Sequence, residues 1–394
     1  MNAPPRRWLL ITALVLSGLS MRIAVSSVGA ALDDIQSSLH TTSAGVGVLT
    51  TMPVLVFAAL GVRTPALAAR FGPHRVLVVA LAISTLGIAA RALVSDLWVY
   101  LALSVLALAG GAVANVVLPG IVKRYFPDKV GTMTAIYSTS LAIGATGAAG
   151  LTVPIGDLGD GWRLGTASWA AITALAIVPW ISTLRADRPA AIGAPTISAW
   201  SLLRSRTAVM LMLFFGFQSM QAYIAFGWYA RFLHEHALST ATAGAMVAVY
   251  SGVSIPVSMI VPSVPPRWHR LVFVSLVECW GLAYAGFGFD PRGGAWVWMV
   301  LAGIGSGSFP LALALLGLRS RSADVTTSLS AMAQAFGYLI AGVGPLLFGV
   351  LHGATHGWAA SLTLLWIALG LTLIFGWISC APTFVDDELA ASRL

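Results

Sequence analysis

Apolar runs of about 20 residues recur along nearly the whole sequence, and they leave few folds open. A helix rising ~1.5 Å per residue needs about that length to cross a hydrocarbon core of ~30 Å. Twelve such runs are legible: 8–31, 43–68, 75–93, 96–122, 129–155, 163–184, 207–231, 239–262, 270–289, 295–318, 326–352 and 357–380. Lipid admits only helices and closed barrels, because every backbone polar group must be satisfied internally. Barrel strands would alternate over about ten residues. These runs are continuous, so the chain is expected to be an all-α membrane protein of twelve transmembrane helices.

Charge agrees. Only 9% of residues are charged and 58% are apolar, whereas soluble domains carry about 25% charged residues. The net charge of +8 does not point to nucleic acid, since the basic residues are scattered in short loops and form no patch. Cys279 and Cys380 fall in apolar runs without metal spacing, so neither a disulfide nor zinc is implied. Arg6 and Arg7 precede an apolar run too long for a signal peptide, with no small-residue cleavage site after it.

The chain repeats itself. Ser43-Ala44-Gly45 opens the second run and Thr242-Ala243-Gly244 the eighth. Gly161-Trp162 precedes the sixth and Gly357-Trp358 the twelfth. Met133-Thr134-Ala135 aligns with Leu329-Ser330-Ala331. The offsets are 196 to 199, and half the chain is 197. Such a period implies two pseudo-symmetric six-helix halves, 1–184 and 207–394, joined by a polar linker at 185–206 with Pro189 and Pro195. With both termini cytoplasmic, the cytoplasmic side collects 17 of the 22 Lys and Arg residues; Arg22, Arg91, Arg163, Arg231 and Arg292 remain. This positive-inside bias sets the expected orientation.

One charge interrupts the first run. Arg22 lies roughly 20 Å from its start, at a depth where an arginine costs at least about 2.5–3.5 kcal/mol and usually faces a bundle interior or a wet cavity. Two readings stand. It is a cavity charge that attracts an anion or electron-rich solute, or a structural arginine bonded to carbonyls or to another helix. Asn115 divides in the same way between solute and neighbouring helix. The seventh run is unusually polar, with Gln218, Gln221 and Tyr223, and the two glutamines share a face at i, i+3. Gln334 and Tyr338 share a face of the eleventh run. Buried amides need partners, and a cavity would supply them. Glu278 is the one acid in the middle of a run; coupling to protons is the less favoured reading beside protonation or a bond to another helix. His40, His234, His236, His352 and His356 fall in loops and read as solvated rather than metal-binding.

Several stretches carry a family resemblance. Leu67-Ala68-Ala69-Arg70-Phe71-Gly72-Pro73-His74-Arg75 resembles the loop between helices 2 and 3 of the major facilitator superfamily, with Ala69 where an aspartate is usual. That aspartate helps lock the cytoplasmic side of the outward-open state, and this chain lacks it. Met21-Arg22-Ile23-Ala24, Leu49 to Leu55, Asn115 to Pro119, Val122 to Pro127, Met133 to Thr139, Phe217-Gln218-Ser219, Phe309 to Arg319, Ser330 to Gln334 and Gly337-Tyr338 are similar to the cyanate porter family. That family commonly shows Asn-Leu-Arg-Pro around the arginine; here Arg22 alone keeps its chemistry.

The resemblance implies alternating access around a central site, with helices 1, 4, 7 and 10 lining it. The expected substrate-binding residues are Arg22, Thr51, Asn115, Tyr137, Ser138, Gln218, Gln221, Tyr223, Gln334 and Tyr338. Arg70, Gly72, Arg75, Lys123 and Arg124 are expected at the gating cytoplasmic loops, while Lys123, Arg124 and Lys129 read mainly as headgroup contacts or loop anchors. The expected function is transport of a small anion or small polar, electron-rich solute, cyanate- or nitroimidazole-like, across a bacterial inner membrane. A multidrug or toxin exporter is the alternative, and a transport-dead sensor stands behind it. No nucleophile–base pair, metal cluster or phosphate loop points to an enzyme. No cofactor is implied, and a monomer is expected.

Overall fold

The computed structural model describes residues 7–41, 43–186 and 201–391. Residues 187–200 of the expected linker, with Arg188, lie outside the described residues, as do Arg6 and Arg393. Among the described residues, twelve helices are long and apolar enough to cross a membrane, called spans 1 to 12 in chain order. They are Arg7–Ala30, Thr51–Phe71, Pro73–Arg91, Leu97–Tyr125, Pro127–Gly156, Trp162–Ile181, Arg206–Glu235, Thr242–Ser263, Pro266–Phe289, Ala295–Leu318, Ala323–Thr355 and Ala359–Ser379.

Local chemistry sets several span starts. Asp96 accepts from Val99 N at 2.9 Å, Ser205 from Ala208 N at 3.1 Å, Ser239 from Thr242 N at 3.1 Å and Ser322 from Val325 N at 3.2 Å. Each satisfies a donor that a helix N-terminus leaves free. Gly72 adopts φ 91°, a conformation open to glycine, and Pro73 then begins span 3 without losing a hydrogen bond.

The chain divides into two compact units: Met1–Pro127 with Ile136–Ile197, and Asp128–Ala135 with Ser198–Leu394. The start of span 5 therefore groups with the second unit. In the first unit, span 4 packs against spans 2 and 3, and span 6 against spans 1 and 3. In the second, span 7 runs through the core, packed mainly against spans 11 and 12, while span 10 lies against spans 8 and 9.

Three of the expected continuous runs are interrupted. Span 6 breaks between Ala167 and Ala170. Span 10 breaks between Gly305 and Ser308; Pro310 has no N–H to give Ser306 O, which helps to end the first piece there. Span 1 runs as a helix over Arg7–Ser20, turns at Met21 and Arg22, and resumes over Ile23–Ala30. A further short helix, Leu32–Ser38, follows.

Candidate functional site

The interruption of span 1 falls at Arg22, and the neighbouring spans explain why the chain can turn there. A Cβ on Gly111 of span 4 would collide with Met21 O. One on Gly144 of span 5 would collide with Leu19 O, and one on Gly18 would meet Tyr137 O. Glycine at these places lets spans 4 and 5 close onto the backbone on either side of the break. Arg22 itself is half-buried, with φ −116° and ψ −6°. Its carbonyl accepts from Val25 N at 3.1 Å and Ser26 N at 2.9 Å, starting the outer helix.

The same packing gathers the other expected residues of the first unit. Asn115 lies one turn along span 4 from Gly111 and is 2% exposed. Tyr137 and Ser138, both 1% exposed, sit where span 5 meets Gly18. Arg22, Asn115, Tyr137 and Ser138 are thus held on three spans around one backbone interruption. Thr51, at the start of span 2, is exposed. Gly144 reads from the sequence as a residue that permits close helix packing, but Gly111 carries no such signal, and the carbonyl that each faces is set only by the fold.

In the second unit the expected residues separate by role. Gln218 is fully buried; its Nε2 donates to Phe215 O at 2.9 Å and Ser219 Oγ at 2.5 Å. Its Oε1 has no hydrogen-bond partner among the described residues. Gln334 Nε2 donates to Ser330 Oγ at 2.7 Å. Tyr338 packs edge-on against Phe215 at 5.3 Å and Tyr223 at 6.3 Å, and Phe215 also meets Phe309 at 5.8 Å. Ser219, Ser330 and Phe309 fall in the family-like stretches, but nothing in the sequence signals these contacts.

Gln221 departs from its expected place. Its Nε2 donates to Thr372 Oγ1 at 2.8 Å and Phe217 O at 3.3 Å, and its Oε1 accepts from the Tyr284 hydroxyl at 2.8 Å. The amide ties spans 7, 9 and 12 together, so both its donor and its acceptor are met within the protein. The i, i+3 spacing with Gln218 puts both on one broad face, but span 9 and span 12 cover the Gln221 edge of it.

At the other expected site, Arg70 and Arg75 are exposed around the buried Gly72. Arg70 lies over the Phe71 ring at 5.0 Å and Arg124 over Tyr125 at 5.7 Å; Lys123 is half-buried. His74, an apparent loop residue, is fully buried and stacks on Tyr125 and Trp180, each at 5.6 Å. Trp180 in turn donates to Ser17 Oγ at 2.8 Å.

Two sequence readings need correction or placing. His352 is not a solvated loop histidine: it stacks on Trp358 at 3.8 Å, with its Nε2 3.4 Å from Glu235 Oε2. Glu235 also accepts from Arg231 Nε and Trp358 Nε1. Glu278 lies on an exposed face of span 9, away from the packed side that carries Phe273, Val277 and Tyr284.

Interrupted helices inside a bundle of twelve spans, with polar side chains gathered at the break, are a transporter's arrangement. The profile of the Major Facilitator Superfamily matches residues 10–345. The chain belongs to the major facilitator superfamily. It is 34% identical to an uncharacterized transporter of Bacillus subtilis over 91% of this chain and 90% of that protein. It is 32% identical to the 2-nitroimidazole transporter of Escherichia coli over 94% and 95%, and 24% identical to that organism's cyanate transport protein over 87% and 90%. Among solved structures, the proton:xylose symporter XylE superposes with a TM-score of 0.74 at 12% identity, over 98% of both chains. Major facilitator proteins of this cyanate- and nitroimidazole-transporter branch are integral membrane transporters of small molecules, not enzymes.

Proposed function

We propose that this transporter carries a small anion, or a small planar solute rich in electron density such as cyanate or a nitroimidazole, across the bacterial inner membrane. It works by alternating access as a monomer, with both termini cytoplasmic. The observation that carries this reading is Arg22 at the interruption of span 1, clamped by Gly111 and Gly144. Guanidinium stays protonated at any physiological pH and offers a planar fork of donors that matches a small anion or a nitro group. A broken helix adds backbone groups that are not spent on the helix itself.

Asn115, Tyr137 and Ser138 would complete the polar side of the site in the first unit. In the second unit, Gln218 Oε1, Gln334, Tyr223 and Tyr338 offer amides and aromatic edges suited to a planar solute. The names of the relatives at 32% and 24% identity support the solute class.

The test is transport by purified protein in liposomes, with cyanate and 2-nitroimidazole as probes, and a thermal-shift screen of the same probes, since binding to the folded state raises apparent stability. Flux that falls when Arg22 becomes alanine supports the reading. Unchanged flux of the same probe in a well-expressed Arg22→Ala protein overturns it and makes the arginine structural.

A further inference from the structure

Arg91, at the end of span 3, is a buried cation in the first unit. It is 1% exposed. Its hydrogen bonds both run through Nη2, to Ala24 O at 3.1 Å and Ser27 Oγ at 3.4 Å. Among the described residues its Nε–H has no acceptor and no carboxylate is paired with it.

Two further groups share this condition. The Tyr100 and Ser104 hydroxyls, on residues 0% and 4% exposed, are buried without a hydrogen-bond partner among the described residues. Both sit on span 4, four residues apart and therefore on one face. Spans 3 and 4 run antiparallel in tight register: Ser84 Oγ donates to Ala107 O at 2.5 Å, Gly87 packs against Ala107, and Gly110 against Ser84. Continuing that register puts Arg91 opposite the turn from Tyr100 to Leu103, with Ser104 one turn from Tyr100.

The register thus sets one guanidinium N–H at the level of two hydroxyls one turn apart, all three buried and without a hydrogen-bond partner among the described residues, beside a positive charge that no described carboxylate pairs. Burying an unpaired ion is costly, and so is leaving a buried hydroxyl without a partner. A water molecule meets the hydrogen bonds but leaves the charge. A small anion meets both. We propose that Arg91, Tyr100 and Ser104 form an internal binding site for a chloride-sized monovalent anion, separate from the Arg22 site. Through Ala24 and Ser27, the bound ion holds the outer helix of span 1 against spans 3 and 4.

The experiment is thermal unfolding of the purified full chain in nanodiscs, without any transported solute, in sodium chloride or bromide against sodium gluconate at fixed ionic strength. The expected result is a saturable rise in Tm with chloride and bromide that gluconate does not give. Tyr100→Phe and Ser104→Ala each raise the half-saturating chloride concentration about ten-fold, Arg91→Met abolishes the halide effect, and Arg22→Gln retains it. Equal Tm in chloride and gluconate for the parent overturns the proposal, as does unchanged half-saturation in both hydroxyl variants. Loss of the effect in Arg22→Gln together with its survival in the hydroxyl variants also overturns it, because the ion then sits at the transport site. If Arg91→Met does not fold, the two hydroxyl variants decide.

Discussion

Tyr284 donates its hydroxyl proton to Gln221 Oε1 across 2.8 Å, while Gln221 Nε2 reaches Thr372 Oγ1 across another 2.8 Å. Three spans of the second unit are stitched by one amide. Hydrogen bonds between membrane helices contribute about 0.6 kcal/mol on average and up to about 1.7. Tyr284→Phe is therefore expected to lower the unfolding free energy by about 1 kcal/mol. Gln221→Leu leaves two partners unmet and should cost more. Both should leave the apparent substrate affinity within a few-fold of the parent. Unfolding in mixed micelles together with transport kinetics checks this; a large loss of affinity with normal stability would return Gln221 to the solute.

Arg22 is expected to behave differently. A charge-assisted hydrogen bond is worth roughly 1.5–3 kcal/mol, so Arg22→Ala should weaken binding of an anionic or electron-rich solute by about ten- to a hundred-fold. Arg22→Lys keeps the charge without the planar fork and should recover part of that loss. Competition binding with the purified variants measures both. A neutral apolar drug should be bound as well by Arg22→Ala as by the parent.

Gly111 and Gly144 predict a steric effect on the same site. Any side chain there meets the carbonyl of Met21 or Leu19, and backbone cannot swing away as a side-chain tip can. Gly111→Val and Gly144→Val should each lower thermal stability and weaken solute binding more than ten-fold, while Gly150→Val, whose Cβ meets nothing within 4 Å, changes little. Melting curves and binding isotherms of the three variants make the comparison.

Glu388 fastens the C-terminal helix Val385–Ala391 to the start of span 7. It accepts from Ser205 Oγ at 2.6 Å, Thr207 N at 2.9 Å and Thr207 Oγ1 at 2.7 Å. Partial burial pushes its carboxyl up, but these donors and the nearby Arg206 charge outweigh that and hold it below the ordinary glutamate value. A lowered folded pKa means stability that is fully present above the ordinary glutamate value and is lost as the pH falls from there through the folded pKa. Amide exchange in Val385–Ala391 should rise as the pH is lowered through that window, after correction for intrinsic rates. Glu388→Gln should remove the pH dependence.

Glu278 lies on the exposed face of span 9, so Glu278→Gln should fold and transport within a few-fold of the parent. Flux in proteoliposomes under an imposed pH gradient tests this. Complete loss of flux at normal expression would make this carboxylate the coupling site.

Length and hydrophobicity alone carried the twelve-helix architecture, because lipid offers a backbone so few ways to satisfy itself. An offset near half the chain length made the duplication legible, and Arg22 announced itself by its cost at that depth. What the one-dimensional pattern could not contain was the partner of each polar group. Gln218 and Gln221 look alike three residues apart, yet among the described residues one keeps an oxygen without a partner while the other is spent on Tyr284 and Thr372. His74 and His352 look like loop residues, yet one is buried between Tyr125 and Trp180 and the other is stacked on Trp358. Gly111 and Gly144 look like ordinary packing glycines, yet they face the carbonyls that flank the break at Arg22. His352 and Trp358 are near in sequence, but the other deciding contacts join residues tens to more than a hundred positions apart, and only the packing of one span's face against another brings those together.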